Sequence, residues 1–344
     1  MGSCSHVVFG HKSRVLPTVS DDEVGTLPGE QARRARPSRR PSSLAALLTL
    51  VVLAGACLGG PDEAGIAGGG ADQITVGSFD FTESAILAEI YAQALTLRGY
   101  RVERALQVGP RELVEPSLEE GLIDLVPEYL GSALGFLTDG VEVASFDVGA
   151  THRALAREFS ARGIAVLEPA PVQNTNGVAV TAETAHRHGL ATISDLTPLA
   201  SDLTIGGPPE CPERPLCLPG LEETYGLRFQ EFIPTDASGP LTAGFLDAGE
   251  VDVAVLFTTS GYLAEGEYVL LEDDLGLQPP ENVVPVVRLD VLSRYGPTLR
   301  VLLDSISREL ETDDVIALNR SVDLGDEDPR SAALEWLRSH GFAT

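Results

Sequence analysis

From residue 74 to the C-terminus, short apolar segments alternate with longer amphipathic ones, and this alternation constrains the fold more than any other feature of the chain. "ITVGSF" (74–79) reads as a buried strand. Residues 81–98 then place Ile86, Leu87, Ile90, Ala94 and Leu97 at helical spacings of three and four, with Gly99 as the stop. "VERALQV" is a second strand, "PRELVEPSLEEG" a helix interrupted by Pro116, and "IDLVPEY" a third strand leading into "LGSALGFL". A helix over 151–162 and the strand "IAVLEP" close this set. A second set follows: the strands "GVAVTAE" and "LTIGG", a helix at "LEETYG", the strand "FQEFIPTD", a helix at "PLTAGFLDAGE" and the strand "VDVAVLF". One more strand, "NVVPVVR" (282–288), precedes helices over 297–310, 314–322 and 329–340. Such a pattern predicts an α/β architecture with mainly parallel sheets, divided into two lobes around a cleft. Ligands of open α/β sheets sit beyond the carboxyl ends of the strands, where "SFDFT" and "PEYLGS" fall.

The chain is acidic, with 24 Lys+Arg against 51 Asp+Glu, and its only lysine is Lys12. That sign repels phosphate backbones and anionic headgroups, which excludes nucleic acid and electrostatic membrane docking as partners. It suits solubility, and secondarily an attraction for cationic solutes. With 43% hydrophobic residues there is material for two ordinary cores.

The N-terminus reads as a targeting segment. A basic patch from Arg33 precedes an apolar stretch over 44–56, of about thirteen residues, which is shorter than the roughly 20 of a spanning helix. The stretch ends "LAGAC", which resembles the lipobox of bacterial lipoproteins, with Cys57 as the acylated residue; Ala54 stands where leucine is common. The segment after it, "LGGPDEAGIAGGGAD", reads as a flexible tether.

Cys4 leaves with the leader and Cys57 carries lipid, so Cys211 and Cys217 remain, in the loop "PECPERPLCLPG". Metal site, redox pair and structural clip are the available readings. C-x5-C without neighbouring histidines matches neither zinc ribbons nor thioredoxin-like sites, and an even pair in an oxidising compartment favours a disulfide. Catalytic motifs are absent: no G-x-S-x-G, no H-E-x-x-H, no P-loop and no G-x-G-x-x-G after a strand. Neither an enzyme nor a bound cofactor or metal is expected.

In order and spacing, "VGSFDFTESAILAEIYAQAL", "GLIDLVPEYLGSAL", "NTNGVAV", "PGLEETYGL" and "LDAGEVDVAVLFTTSG" resemble the substrate-binding proteins of ABC importers for osmoprotectants and other quaternary amines. The likeness covers nearly all of 73–344. It implies a two-lobed Venus-flytrap fold with two crossing strands and a helical C-terminal tail, a monomer that closes on a small solute and delivers it to a membrane permease from the outer face of the cell membrane. By this likeness residues 1–56 are leader and signal peptide, 57–72 tether, 73–176 with 282–344 lobe one, and 177–281 lobe two. A receptor presenting the solute to a sensor, or an enzyme on the same fold, would share this architecture.

The family's usual pocket is a cage of tyrosines around a trimethylammonium group, beside polar groups for a carboxylate. Carried over, Tyr129 matches a cage tyrosine, and Ser132 stands where a threonine hydroxyl is common. Phe79 and Asp80 stand at lysine and asparagine positions, while Asn176, Leu218 and Leu241 fall where three further tyrosines are expected. Three cage rings are therefore expected to be missing, and a carboxylate-bearing solute to lose a cationic partner. Each residue keeps a structural reading as well: Tyr129 as a packed strand end, Asp80 as an N-cap for the helix from Phe81, Leu218 and Leu241 as core, Asn176 as part of a hinge turn.

Overall fold

The computed structural model describes residues 72–141 and 144–343. The segments read from sequence as leader, signal peptide, lipidated Cys57 and most of the tether, residues 1–71, lie outside the described residues.

The first half alternates as its sequence does. In chain order it contains β1 (Ile74–Gly77), α1 (Thr82–Leu97), β2 (Val102–Ala105), α2 (Arg111–Glu119), β3 (Leu125–Tyr129), α3 (Leu130–Leu137), α4 (Val148–Ser160) and β4 (Ile164–Val166). The second set comprises β5 (Asn176–Thr181), α5 (Ala182–His188), β6 (Thr204–Gly207), α6 (Leu218–Tyr225), β7 (Glu231–Pro234), α7 (Pro240–Ala248), β8 (Val253–Phe257) and β9 (Tyr268–Leu271). Then come β10 (Val283–Arg288), α8 (Leu289–Tyr295), α9 (Pro297–Glu309), α10 (Thr312–Asp323) and α11 (Pro329–Ser339). Among the described residues no helix is long and apolar enough to cross a membrane.

Two five-stranded sheets result, ordered β2-β1-β3-β10-β4 and β7-β6-β8-β5-β9. Each has a parallel core of three strands, with β1 between β2 and β3 and β6 between β7 and β8. The remaining pairings are antiparallel, β10 with β3 and β4 and β5 with β8 and β9. The expectation of mainly parallel sheets is thus corrected to mixed ones. The reason is topological: β5 and β10 are reached by crossing from the other sheet, so each enters its sheet running against the βαβ units already there.

The crossing segments pair with each other. Gln173 and Asn282 form an antiparallel bridge, Asn174 N donates to Glu281 O at 3.0 Å, and Val283 N donates to Val172 O at 3.2 Å. A short two-stranded ribbon therefore joins the lobes, the geometry a hinge needs.

Burial follows the apolar pattern. β1 and β3 are buried throughout, and α1 is buried from Glu83 to Leu95, because α10 and α11 cover the face that the sheet does not. Ile74, Val76, Leu125, Val286, Leu303 and Trp336 share one core; Val178, Ile205, Leu221, Val253 and the two cysteines share another. α10 also lies against the turn at 261–265, where a Cβ on Gly261 would stand 2.8 Å from Arg320 N. Glycine there permits the backbones to approach.

Candidate functional site

A cleft of about 430 Å³ opens beyond the carboxyl ends of β1, β3, β6 and β8. The first sheet contributes Phe79, Asp80 and Phe81 after β1, Arg111 and Glu112 from α2, Tyr129 at the end of β3, and Gly131, Ser132 and Phe136 from α3. Phe257 ends β8, the 211–217 loop forms the facing wall, and Asn174 and Glu281 project from the crossing segments.

Aromatic rings from both sheets converge here. Phe81 is the centre of the group, stacked on Phe79 at 6.0 Å between centroids, tilted against Tyr129 at 6.0 Å and edge-on to Phe257 at 5.2 Å. Phe81 is free to face the cleft because it precedes the helix: as N-cap of α1 it is extended, with φ −129° and ψ 158°. Phe136 lines the opposite side.

Two arginines lie on these rings. The Arg111 guanidinium sits 5.1 Å from the Phe79 centroid and donates to both oxygens of Glu128, at 2.5 and 2.9 Å. Arg214 sits 5.3 Å from the Phe136 centroid and pairs with Glu112 at 2.6 Å. Both cations are thereby neutralised by acids of their own. Glu115, behind Arg111, is buried with neither oxygen bonded; burial and then Glu128 push its carboxyl well above the usual range.

Below the rings, Glu83 of α1 ties four segments together. Its buried carboxylate accepts from Tyr129 Oη at 2.7 Å, Asn174 Nδ2 at 2.8 Å, Asn319 Nδ2 at 2.8 Å and the Thr259 hydroxyl. The donors come from β3, a crossing segment, α10 and the turn after β8, so one side chain stitches the floor of the cleft to both sheets. Burial first, and then the adjacent Glu83, raise the Tyr129 hydroxyl well above its ordinary pKa, which keeps it a neutral donor.

Glu281 sits at the end of a crossing segment, 2% exposed. Its Oε2 accepts from Gly131 N at 3.0 Å and its Oε1 from Ser132 Oγ at 3.0 Å, at the start of α3. Burial pushes its carboxyl up to about 7, with Ser132 and Arg111 opposing.

The structure bonds Cys211 to Cys217, with Cα atoms 5.3 Å apart. Both cysteines belong to the core of the second sheet and also line the cleft. The loop is held from beneath: Leu216 O accepts from Asn176 Nδ2 at 3.0 Å and from Gln278 Nε2 at 2.9 Å. Arg214, at its tip, reaches Glu112 and Phe136 on the first-sheet side.

Of the residues singled out from sequence, Phe79, Asp80, Tyr129, Ser132 and Asn176 line the cleft together with the disulfide. Leu218 and Leu241 do not. Leu218 opens α6 and packs against the second core, and Leu241 is 45% exposed on α7. Family resemblance suggests cage positions for both; Leu218, in the first turn of α6, follows the core instead, and Leu241 faces outward from α7. Asp80 is not the N-cap, since Phe81 holds that position and no side chain caps α1. Ser132 has its hydroxyl engaged by Glu281, and Asn176 serves as an anchor for the loop. Phe81, Phe136, Phe257, Arg111 and Glu281 were not anticipated. The strand-end rule already points to "SFDFT", which holds Phe81, and applied to β8 it points to Phe257 in "VAVLFTTSG".

Two lobes, a paired double crossing and a cleft between strand ends define a solute-binding protein of the flytrap class. The family model described as the substrate-binding domain of ABC-type glycine betaine transport systems matches residues 72–339, and the chain belongs to that family. It is 31% identical to the glycine-betaine-binding protein of Pseudomonas aeruginosa, over 78% of this chain and 88% of that one. To the glycine betaine-binding protein YehZ of Escherichia coli it is 27% identical, over 79% and 92%. A solved structure described as a glycine betaine/carnitine/choline ABC transporter superposes with a TM-score of 0.63 at 23% identity, covering 78% of this chain and 99% of that one. Membership makes the chain the extracytoplasmic solute-binding component of an ABC importer, working with a permease, rather than an enzyme.

Proposed function

We propose that the cleft captures a compact quaternary amine or similar osmoprotectant-like cation in an altered cage of three phenylalanines and one tyrosine. The observation that carries this reading is the convergence of Phe79, Phe81, Tyr129 and Phe257 from both sheets. A trimethylammonium group has no hydrogen to donate, so ring faces and diffuse negative charge are what recognise it, at about 0.5 to 2 kcal/mol per well-placed ring. Asp80, Glu210, Glu213 and Glu281 line the same cleft, whereas its arginines are spent on Glu128 and Glu112. The relatives' named ligand, glycine betaine, is itself a quaternary amine.

Residues 73–176 with 282–344 form lobe one and 177–281 lobe two in this reading. The solute contacts both lobes and so stabilises closure. Phe79, Tyr129 and Asp80 touch the solute; Ser132 and Asn176 position Glu281 and the disulfide wall; Leu218 and Leu241 support from outside. The mature chain is a monomer tethered through lipid on Cys57 at the outer face of the cell membrane. Native mass spectrometry of protein purified without added ligand tests the reading: a carried-through quaternary ammonium is expected, and a carried-through anion or sugar would refute it.

A further inference from the structure

We infer that Glu281 is the specificity-determining residue of the cleft: it occupies the donors on which a solute carboxylate would dock and presents its own charge instead, so the site selects quaternary cations that carry no carboxylate. The inference rests on the quaternary-amine reading and deepens it.

The donors are Gly131 N, in the first turn of α3, and the adjacent Ser132 hydroxyl, and a helix start of this kind is the type of site that holds a carboxylate. Here the carboxylate is supplied by the chain. The arrangement is built: a Cβ at Gly131 would stand 2.6 Å from Glu281 Oε1, so only glycine lets the carboxylate reach the helix end. The main chain of Glu281 is fixed as well. Its backbone carbonyl is the acceptor for Asn174 N in the crossing ribbon, which fixes the residue where the lobes are joined.

Neither donor is charged, and among the described residues Glu281 forms no ion pair. Arg111, the guanidinium nearest in effect, directs its hydrogen bonds to Glu128. A buried carboxylate with hydrogen bonds but no ion pair of its own, beside an arginine already paired with Glu128, is a costly arrangement. A cation in the aromatic cage would supply the missing charge. A zwitterion brings the same cation with a carboxylate that finds its donors filled and a like charge beside them. Burial raises the Glu281 carboxyl even against the hydrogen bonds of Ser132 and Gly131 and the charge of Arg111, as expected where no direct ion pair is made.

Choline and glycine betaine share the trimethylammonium group and differ in hydroxymethyl against carboxylate, so their ratio isolates the effect. Isothermal titration of the wild-type chain at pH 8 is expected to show choline binding at least about tenfold tighter than glycine betaine. In Glu281→Gln, which keeps size and removes charge, that ratio is expected to fall by about tenfold or more. Wild-type preference for glycine betaine would overturn the inference without any variant. So would an unchanged ratio in a Glu281→Gln protein that melts as a folded chain. If neither amine binds either protein, the quaternary-amine reading itself fails and the inference falls with it.

Discussion

Replacing Glu83 with glutamine should separate a structural knot from a ligand contact. The carboxylate accepts four hydrogen bonds, from Tyr129, Asn174, Asn319 and Thr259, and it is buried. Glutamine keeps one acceptor oxygen and turns an NH2 toward the other two donors, one of them itself an amide. At about 1 to 3 kcal/mol for each buried donor left unsatisfied, the loss should be about 2 to 6 kcal/mol. That is a large fraction of the 5 to 15 kcal/mol or so typical of a folded domain. Urea denaturation followed by far-UV circular dichroism should show a lower midpoint at an unchanged slope, since the surface exposed on unfolding is the same. Alanine at the same site should cost at least as much. A loss under about 1 kcal/mol for both variants would mean that Glu83 does not join the four segments, and the reasoning about the cleft floor would be wrong.

Further outcomes follow from the same geometry. Reducing the Cys211–Cys217 bond, or replacing both cysteines with serine, removes at most roughly 2.4 kcal/mol of loop-closure stabilisation. It also frees the wall that carries Arg214, so affinity for choline should fall before the melting temperature does; equal affinity with and without reductant argues against that role. Phe257→Ala removes the ring contributed by β8 and should weaken choline binding by about 0.5 to 2 kcal/mol, measured by titration. For pH, burial pushes the Glu281 carboxyl up to about 7, above the usual carboxylate range. A raised acid favours the protonated folded state, so Glu281 costs the empty protein increasing stability as pH climbs from about 4.5 through about 7, up to ~3 kcal/mol. A cation prefers the ionised form, so choline affinity should rise between pH 6 and 8 and binding should release protons, read from titrations in two buffers of different ionisation enthalpy. Arg111, Asp80 and Glu112 share the cleft; the first opposes the shift of Glu281.

Much of this was readable from the chain because periodicity reports burial. The buried strands at "ITVG", "LVPEY" and "VVPVVR" and the disulfide loop stand out locally. β9 did not, because "YVLL" is flanked by glycines and acids and is only partly buried along most of its length. α8 was hidden by the apolar strand that runs straight into it. The site was legible near the strand ends, at Phe79, Asp80 and Tyr129, and in the cysteine loop, which all line the cleft. Glu281 follows two prolines, with no periodic signal, and meets Ser132 only because the chain crosses back from the second sheet. Pairings separated by a lobe's length leave no trace in a local window. Family resemblance suggests lost cage rings at Leu218 and Leu241, which lie outside the cleft, while rings are supplied by Phe81 and Phe257.

In the proposed reading, aromatic rings and cleft carboxylates such as Asp80 and Glu281 together hold a cation. Choline and 3,3-dimethylbutan-1-ol have nearly the same shape and differ by a positive charge. Parallel calorimetric titrations should show choline binding at least about thirtyfold tighter, which corresponds to ~2 kcal/mol from two or more ring faces. Equal affinity for the neutral alcohol would contradict the account, because the cleft would then be recognising shape and apolar surface rather than charge.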